Sequence, residues 1–109
     1  MKALLITVAA AGSLLVATQA GAAVDMAAGQ ALAQKSGCLA CHSVDKKIIG
    51  PAYKDIAAKY KGQKDVEAKL IDKVKKGGSG VWGPMPMPGN SPAVKDEDIK
   101  TLVEWVLAH

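Results

Sequence analysis

Apolar residues recur at helical spacing in two stretches of the chain. Ile99, Leu102, Val103, Val106 and Leu107 fall at i, i+3, i+4, i+7 and i+8, a stripe that turns one side of a helix toward a core. Asp96, Glu97 and Asp98 occupy its first turn, where negative charge complements the helix dipole. Trp105 falls off that stripe and is expected at its edge. Val66, Leu70, Ile71 and Val74 form the second stripe, on a helix from Val66 to about Lys76 with Asp65 as its cap. Two weaker patterns precede these. Asp25 can cap a helix from Met26 to about Lys35, whose apolar positions are mostly alanine, with Leu32 the one large residue. Such small side chains let a second helix approach closely. Gly37 is placed to end that helix, and a Gly50-Pro51 turn leads into a short one from Tyr53 to about Tyr60, closed by Gly62.

After Gly77-Gly78-Ser79-Gly80 the pattern stops. Pro84, Pro86 and Pro88 stand at alternate positions, so helix is excluded and extended or polyproline geometry is favoured. The sequence predicts a long irregular loop from Val81 to Asn90, and such loops in compact domains usually carry function. No strand-like alternation and no internal repeat appears. The expected fold class is all-α, four to five short helices with loops bearing the chemistry.

The start of the chain reads differently. Lys2 precedes an apolar run from Ala3 to Val16, and Ala20-Gly21-Ala22-Ala23 follows. This is the pattern of a secretory signal peptide, residues 1–23, cleaved before Ala23 or before Val24. The run is shorter than the roughly 20 residues of a spanning helix, so no membrane anchor is expected after cleavage. The remaining domain, residues 24–109, is of a size at which a protein-only core is marginal. Its aromatic side chains are Tyr53, Tyr60, Trp82 and Trp105, with no phenylalanine anywhere in the chain. A bound apolar group would supply the missing bulk.

The chain has two cysteines, in the run Cys38-Leu39-Ala40-Cys41-His42. This Cys-x-x-Cys-His spacing attaches a c-type haem: each thiol adds to a vinyl group and the adjacent histidine faces the iron. Competing readings fare worse. A thioredoxin-like dithiol needs an α/β frame, a zinc site lacks ligands beyond His109, and a Cys38–Cys41 disulfide would close too small a loop to stabilise a fold. His42 would bind iron through Nε2, leaving Nδ1 to find an acceptor. The Pro51 carbonyl is a candidate for that acceptor, and Pro51 as a plain turn former is the rival reading.

The sixth ligand separates a carrier from a haem protein with an open or labile site that binds a gas or turns over peroxide. A methionine thioether closes the iron and raises its potential relative to two nitrogen ligands. Met26 opens the first helix, whereas Met85 and Met87 sit in the stiff proline loop, where less entropy is lost on ligation. Local pattern alone does not separate Met85 from Met87.

The chain resembles the small class I bacterial cytochromes c, in the branch of soluble cytochrome c-551-like donors to periplasmic nitrite reductase and terminal oxidases. The resemblance is carried by Gly37-Cys38-Leu39-Ala40-Cys41-His42, by Gly50-Pro51-Ala52-Tyr53-Lys54-Asp55, by Gly80 through Pro88, and by Leu102-Val103-Glu104-Trp105-Val106-Leu107. It implies the class I fold wrapped around one covalent haem c. It implies Met87 as the partner of His42 on the iron, with Met85 in a position taken elsewhere by an aliphatic residue. It also implies that Pro51 accepts from His42 and that Trp82 donates to a haem propionate, beside the simpler reading of Trp82 as packing on the porphyrin. Lys73 falls where relatives carry arginine near a propionate, and lysine keeps the charge without the planar fork. Tyr53 and Tyr60 are expected to pack in the pocket.

All fourteen bases are lysine, and eleven of them lie between Lys35 and Lys76 against five acids. Such a face suits steering of acidic partners, or is simply solvated surface. The absence of arginine and of basic-aromatic interleaving argues against nucleic acid. The expectation is a monomeric periplasmic electron carrier of a respiratory or denitrifying chain. It is not an enzyme, and its encounters are transient, between a cytochrome bc1-type donor and a nitrite reductase or oxidase.

Overall fold

The computed structural model describes residues 24–109, together with Gly12 in isolation; the expected signal peptide lies outside the described residues. Four α-helices run in order: α1 Met26–Lys35, α2 Tyr53–Tyr60, α3 Val66–Lys76 and α4 Asp96–Leu107. A 3-10 turn at Cys38–Ala40 follows α1, and strands β1 Gly78–Gly80 and β2 Gly83–Met87 lie between α3 and α4. Helix α4 packs against each of the other three. Among the described residues no helix is long and apolar enough to cross a membrane.

Helix α1 starts where Asp25 Oδ1 accepts from the Ala28 N–H at 2.9 Å, satisfying one of the donors a helix start leaves free. It ends at Gly37, whose left-handed backbone (φ 79°) turns the chain into the Cys38 loop. The expected cap at Asp65 differs. Asp65 stands at the cap position with φ 66°, but its side chain makes no capping hydrogen bond. Aspartate tolerates the left-handed region, so here its backbone rather than its carboxylate serves the turn.

Trp105 is not at an edge. It is 1 % exposed and, with Ala33, Tyr53, Ile56 and Leu102, forms the core. The stripe argument missed that Trp105 is i+3 from Leu102 and that α4 is gripped from several sides, which widens its buried arc. The alanine-rich face of α1 makes room for it. A Cβ on Gly29 would collide with Cδ1 and Cγ of the indole, so the close approach expected of α1 is realised at this glycine. The indole N–H donates to the Met26 carbonyl at 3.1 Å, so the buried ring leaves no donor unmet.

The second correction concerns the Gly77–Asn90 segment, which carries a two-stranded antiparallel ribbon with Gly78 opposite Met87 and Gly80 opposite Gly83. Glycines give no side-chain alternation, which hid β1 from the pattern. On β2, Gly83 and Met87 pair with β1 across a bulge, and Pro84 and Pro86 fall between them, where an edge strand needs no donor. The alternate prolines thus fit an edge strand as well as they fit a loop.

Candidate functional site

A crevice opens between the Cys38–Pro51 segment and the hairpin, floored by α3 and α4. Cys38, Cys41, His42, Trp82, Met85 and Met87 all line it, as do Pro51, Tyr53, Tyr60 and Lys73. The structure therefore brings every residue of the sequence-derived site to one crevice.

The segment that carries His42 is held by its own backbone. The Cys41 carbonyl accepts from Ile49 N at 3.2 Å and from Gly50 N at 2.7 Å, folding the loop back on itself. The first amides of α2, at Tyr53 and Lys54, donate to the Ser43 and Val44 carbonyls at 2.9 and 3.1 Å. These bonds satisfy helix-start donors and fix the loop to α2 in one step. Gly50 then lies against the imidazole: a Cβ there would come within 2.6 Å of His42 Cε1.

His42 is buried, and its Nδ1 lies 2.7 Å from the Pro51 carbonyl oxygen. A carbonyl can only accept, so Nδ1 must carry the hydrogen. Nε2 is then the bare nitrogen, with a lone pair free for a metal and no hydrogen bond to any described residue. Tyr53 stacks beside the ring at 5.0 Å and 20°. Both cysteines are free and half-buried. Burial pushes the Cys38 thiol above its ordinary value, partly offset by the Tyr53 hydroxyl beside it. A neutral sulfur suits that environment, as a thioether would. The donor set therefore fits a covalently held haem.

Met87 is half-buried at the end of β2, whereas Met85 is 63 % exposed. Past Met87 the chain is stapled to the last turn of α3. Asn90 N donates to the Val74 carbonyl at 2.9 Å, and its side-chain amide donates to Val74 O at 3.2 Å and Pro88 O at 3.3 Å. Ser91 N reaches the Lys75 carbonyl at 3.3 Å. Trp82 is part-exposed at the crevice mouth, with Lys59 Nζ 5.6 Å from its ring centroid, and makes no hydrogen bond to the described residues. Lys73 brings its ammonium beside Gly78. Sequence reasoning missed Gly50 and Asn90. Gly50 had been read only as a turn residue; Asn90, just after Pro88-Gly89, could have been read as a side chain that satisfies turn carbonyls.

A cysteine pair, a histidine with a bare Nε2 and two methionines around one apolar crevice in a small helical fold define a haem-binding electron carrier. The chain belongs to the cytochrome c family, whose model, described as cytochrome c, matches residues 26–109. It is 52 % identical over 79 residues to cytochrome c-551 of Pseudomonas aeruginosa, covering 72 % of this chain and 74 % of that one. It is 50 % identical over 98 residues to cytochrome c-552 of Nitrosomonas europaea, covering 90 % and 88 %. The crystal structure of wild-type Nitrosomonas europaea cytochrome c552 superposes with a TM-score of 0.69 at 51 % identity, covering 72 % of this chain and 96 % of that one. The chain is thus a small class I c-type cytochrome with one covalent haem c, an electron carrier rather than an enzyme.

Proposed function

We propose that residues 24–109, after loss of a leader at 1–23, form a soluble periplasmic carrier whose haem is joined to Cys38 and Cys41 and ligated by His42 and Met87. Haem c, when bound, supplies a one-electron ferric/ferrous couple. The observation that carries the reading is the Pro51 carbonyl at 2.7 Å from His42 Nδ1, which reserves Nε2 as a lone-pair donor within the crevice that Met87 also lines. The burial of Met87 against the exposure of Met85 supports Met87 as the second ligand. Fixing both ligands keeps the geometry alike in the two oxidation states, and a thioether raises the potential relative to a second nitrogen. Trp82 and Lys73, both on the crevice wall, are the groups we assign to the propionates, Trp82 as a donor and Lys73 as a countercharge.

Partner docking is assigned to the edge beside the haem loop. Ile48 is 53 % exposed, and Lys46 and Lys47 next to it have no carboxylate within ion-pair distance among the described residues. An apolar side chain flanked by free ammonium groups suits a brief encounter with an acidic partner. By analogy with the branch it resembles, the carrier would take electrons from a cytochrome bc1-type donor and give them to a nitrite reductase or oxidase, in a respiratory, denitrifying chain.

Optical spectra of the haem-loaded protein test the ligand set. The far-red charge-transfer band of thioether-ligated ferric iron is expected to vanish in Met87→Ala and persist in Met85→Ala. The opposite pattern would transfer the ligand role to Met85, and high-spin iron in the native protein would replace the carrier with an open-site haem protein.

A further inference from the structure

Helices α3 and α4 pack together, and near the start of α3 two acids stand in that contact. Glu67 of α3 and Glu104 of α4 bring their carboxyl groups into hydrogen-bond contact. Two ionised carboxylates can only accept, so one of the pair must carry a proton and donate it to the other. Glu67 Oε1 is buried and receives no other hydrogen bond from the described residues. No ammonium group among them lies within ion-pair distance of Glu67. Glu104 has only Lys100, one turn earlier on α4, at 3.9 Å, the outer limit of an ion pair. On α3 itself, Leu70 and Ile71 stand one turn on from Glu67 and carry no charge. A glutamate in the first turn of a helix ordinarily complements the dipole as a free anion. Here that turn lies against a second acid instead.

We propose that Glu67 and Glu104 share one proton across the α3–α4 contact, forming a clasp that joins the two helices while the proton is bound and repels when it leaves. Neither residue lines the crevice, and Glu67 lies at the opposite end of α3 from the Asn90 staple, so the clasp acts on the docking of the helix and not on the haem site. The hydrogen bond to Glu104 holds the Glu67 carboxyl above its ordinary range, burial and the Glu104 charge add to this, and Lys100 opposes them. In the unfolded chain the two acids are far apart and titrate as ordinary glutamates. The folded protein therefore binds more protons than the unfolded one over the mildly acid range. The stability this contributes is fully present below the ordinary glutamate value and is lost as pH rises through the raised folded value. Two other groups bear on the same pH range. Asp45 is kept below the usual carboxylate range by its bond to Lys54 and stays charged. Burial lowers the pKa of His109, so its contribution runs the other way and grows as pH climbs toward the ordinary histidine value.

Thermal unfolding of the haem-loaded protein, followed by helical circular dichroism in one oxidation state, tests the clasp between about pH 4.5 and about pH 8. Glu104→Gln keeps the shape of the side chain and offers Glu67 an amide N–H that has no proton to lose. At the acid end the native protein and the variant are expected to melt together. As pH rises the native Tm is expected to drop below that of the variant, and the gap to level off at the alkaline end. His109 and the other groups titrate alike in both proteins, so they cancel in the difference. A gap that does not change with pH would overturn the shared proton. Glu67→Gln must give the same pH-dependent gap, because the proton belongs to the pair, and a flat one would also overturn it. Carbon-13 NMR of the glutamate carboxyl carbons in the native protein gives a check that needs no variant. The Glu67–Glu104 pair must show one titration step above the ordinary glutamate range, and two ordinary steps would overturn the clasp.

Discussion

The two walls of the crevice are built in opposite ways. The His42 wall is local: its bonds join Cys41 to Gly50, His42 to Pro51 and Ser43 to Tyr53, all within one short stretch of chain. The Met87 wall is borrowed. Its ribbon is short and half solvated, and what fixes it is the last turn of α3, through Asn90, Ser91 and the glycines that allow close approach. Closing a local loop costs little entropy, whereas the hairpin keeps its place only while α3 is docked. The His42 wall should therefore persist to conditions at which the Met87 wall has already opened, with few buried contacts to resist it.

Gly77→Ala would break the comparison most severely. Gly77 ends α3 at φ 74°, and a Cβ there would collide with the Met87 carbonyl oxygen and lie 2.6 Å from Gly89 N. Those obstacles are backbone, so no side chain can swing aside. A cost of about 2–3 kcal/mol is expected for the strained conformation and the clash. It should fall on the Met87 wall alone. In a thermal scan the far-red band should disappear well before helical circular dichroism is lost. Simultaneous loss of both signals would mean that the two walls open as one unit.

Asn90→Ala probes the same wall more gently. It removes the side-chain bonds to Val74 O and Pro88 O while leaving the Asn90 backbone bond in place. Two hydrogen bonds of ordinary net strength, one of them exposed, are worth about 1–2 kcal/mol together. The expected readout is easier displacement of the methionine by added imidazole, by roughly 5- to 30-fold in apparent affinity, since 1.4 kcal/mol is a factor of 10. An unchanged affinity would mean that the α3 staple does not hold the ligand loop.

The same contrast governs what could be read from the sequence. The helices were legible because Asp25, the Ile99–Leu107 stripe and the acidic first turn of α4 act within a few residues of one another. Cys38–His42 and Pro51 were legible for the same reason. Trp105 was misread because its burial depends on Gly29, a residue far away in the chain. The hairpin was hidden because glycine and proline carry no alternating signal, and pairing becomes visible only when Gly78 meets Met87.

Pro51→Ala should do least, and that makes it a sharp probe of the His42 wall. What His42 uses at this position is a carbonyl oxygen, which every residue supplies. The pyrrolidine ring contributes only by restricting the unfolded chain, worth about 0.4–1 kcal/mol. Alanine should therefore lower global stability by that amount and leave the Nδ1 hydrogen, the bare Nε2 and the far-red band as they were. A low-spin spectrum and midpoint potential indistinguishable from the native protein are expected. If the potential shifts, the ring itself must hold the carbonyl in line with Nδ1. The His42 wall would then depend on a single stiff residue rather than on the backbone bonds from Cys41 to Gly50.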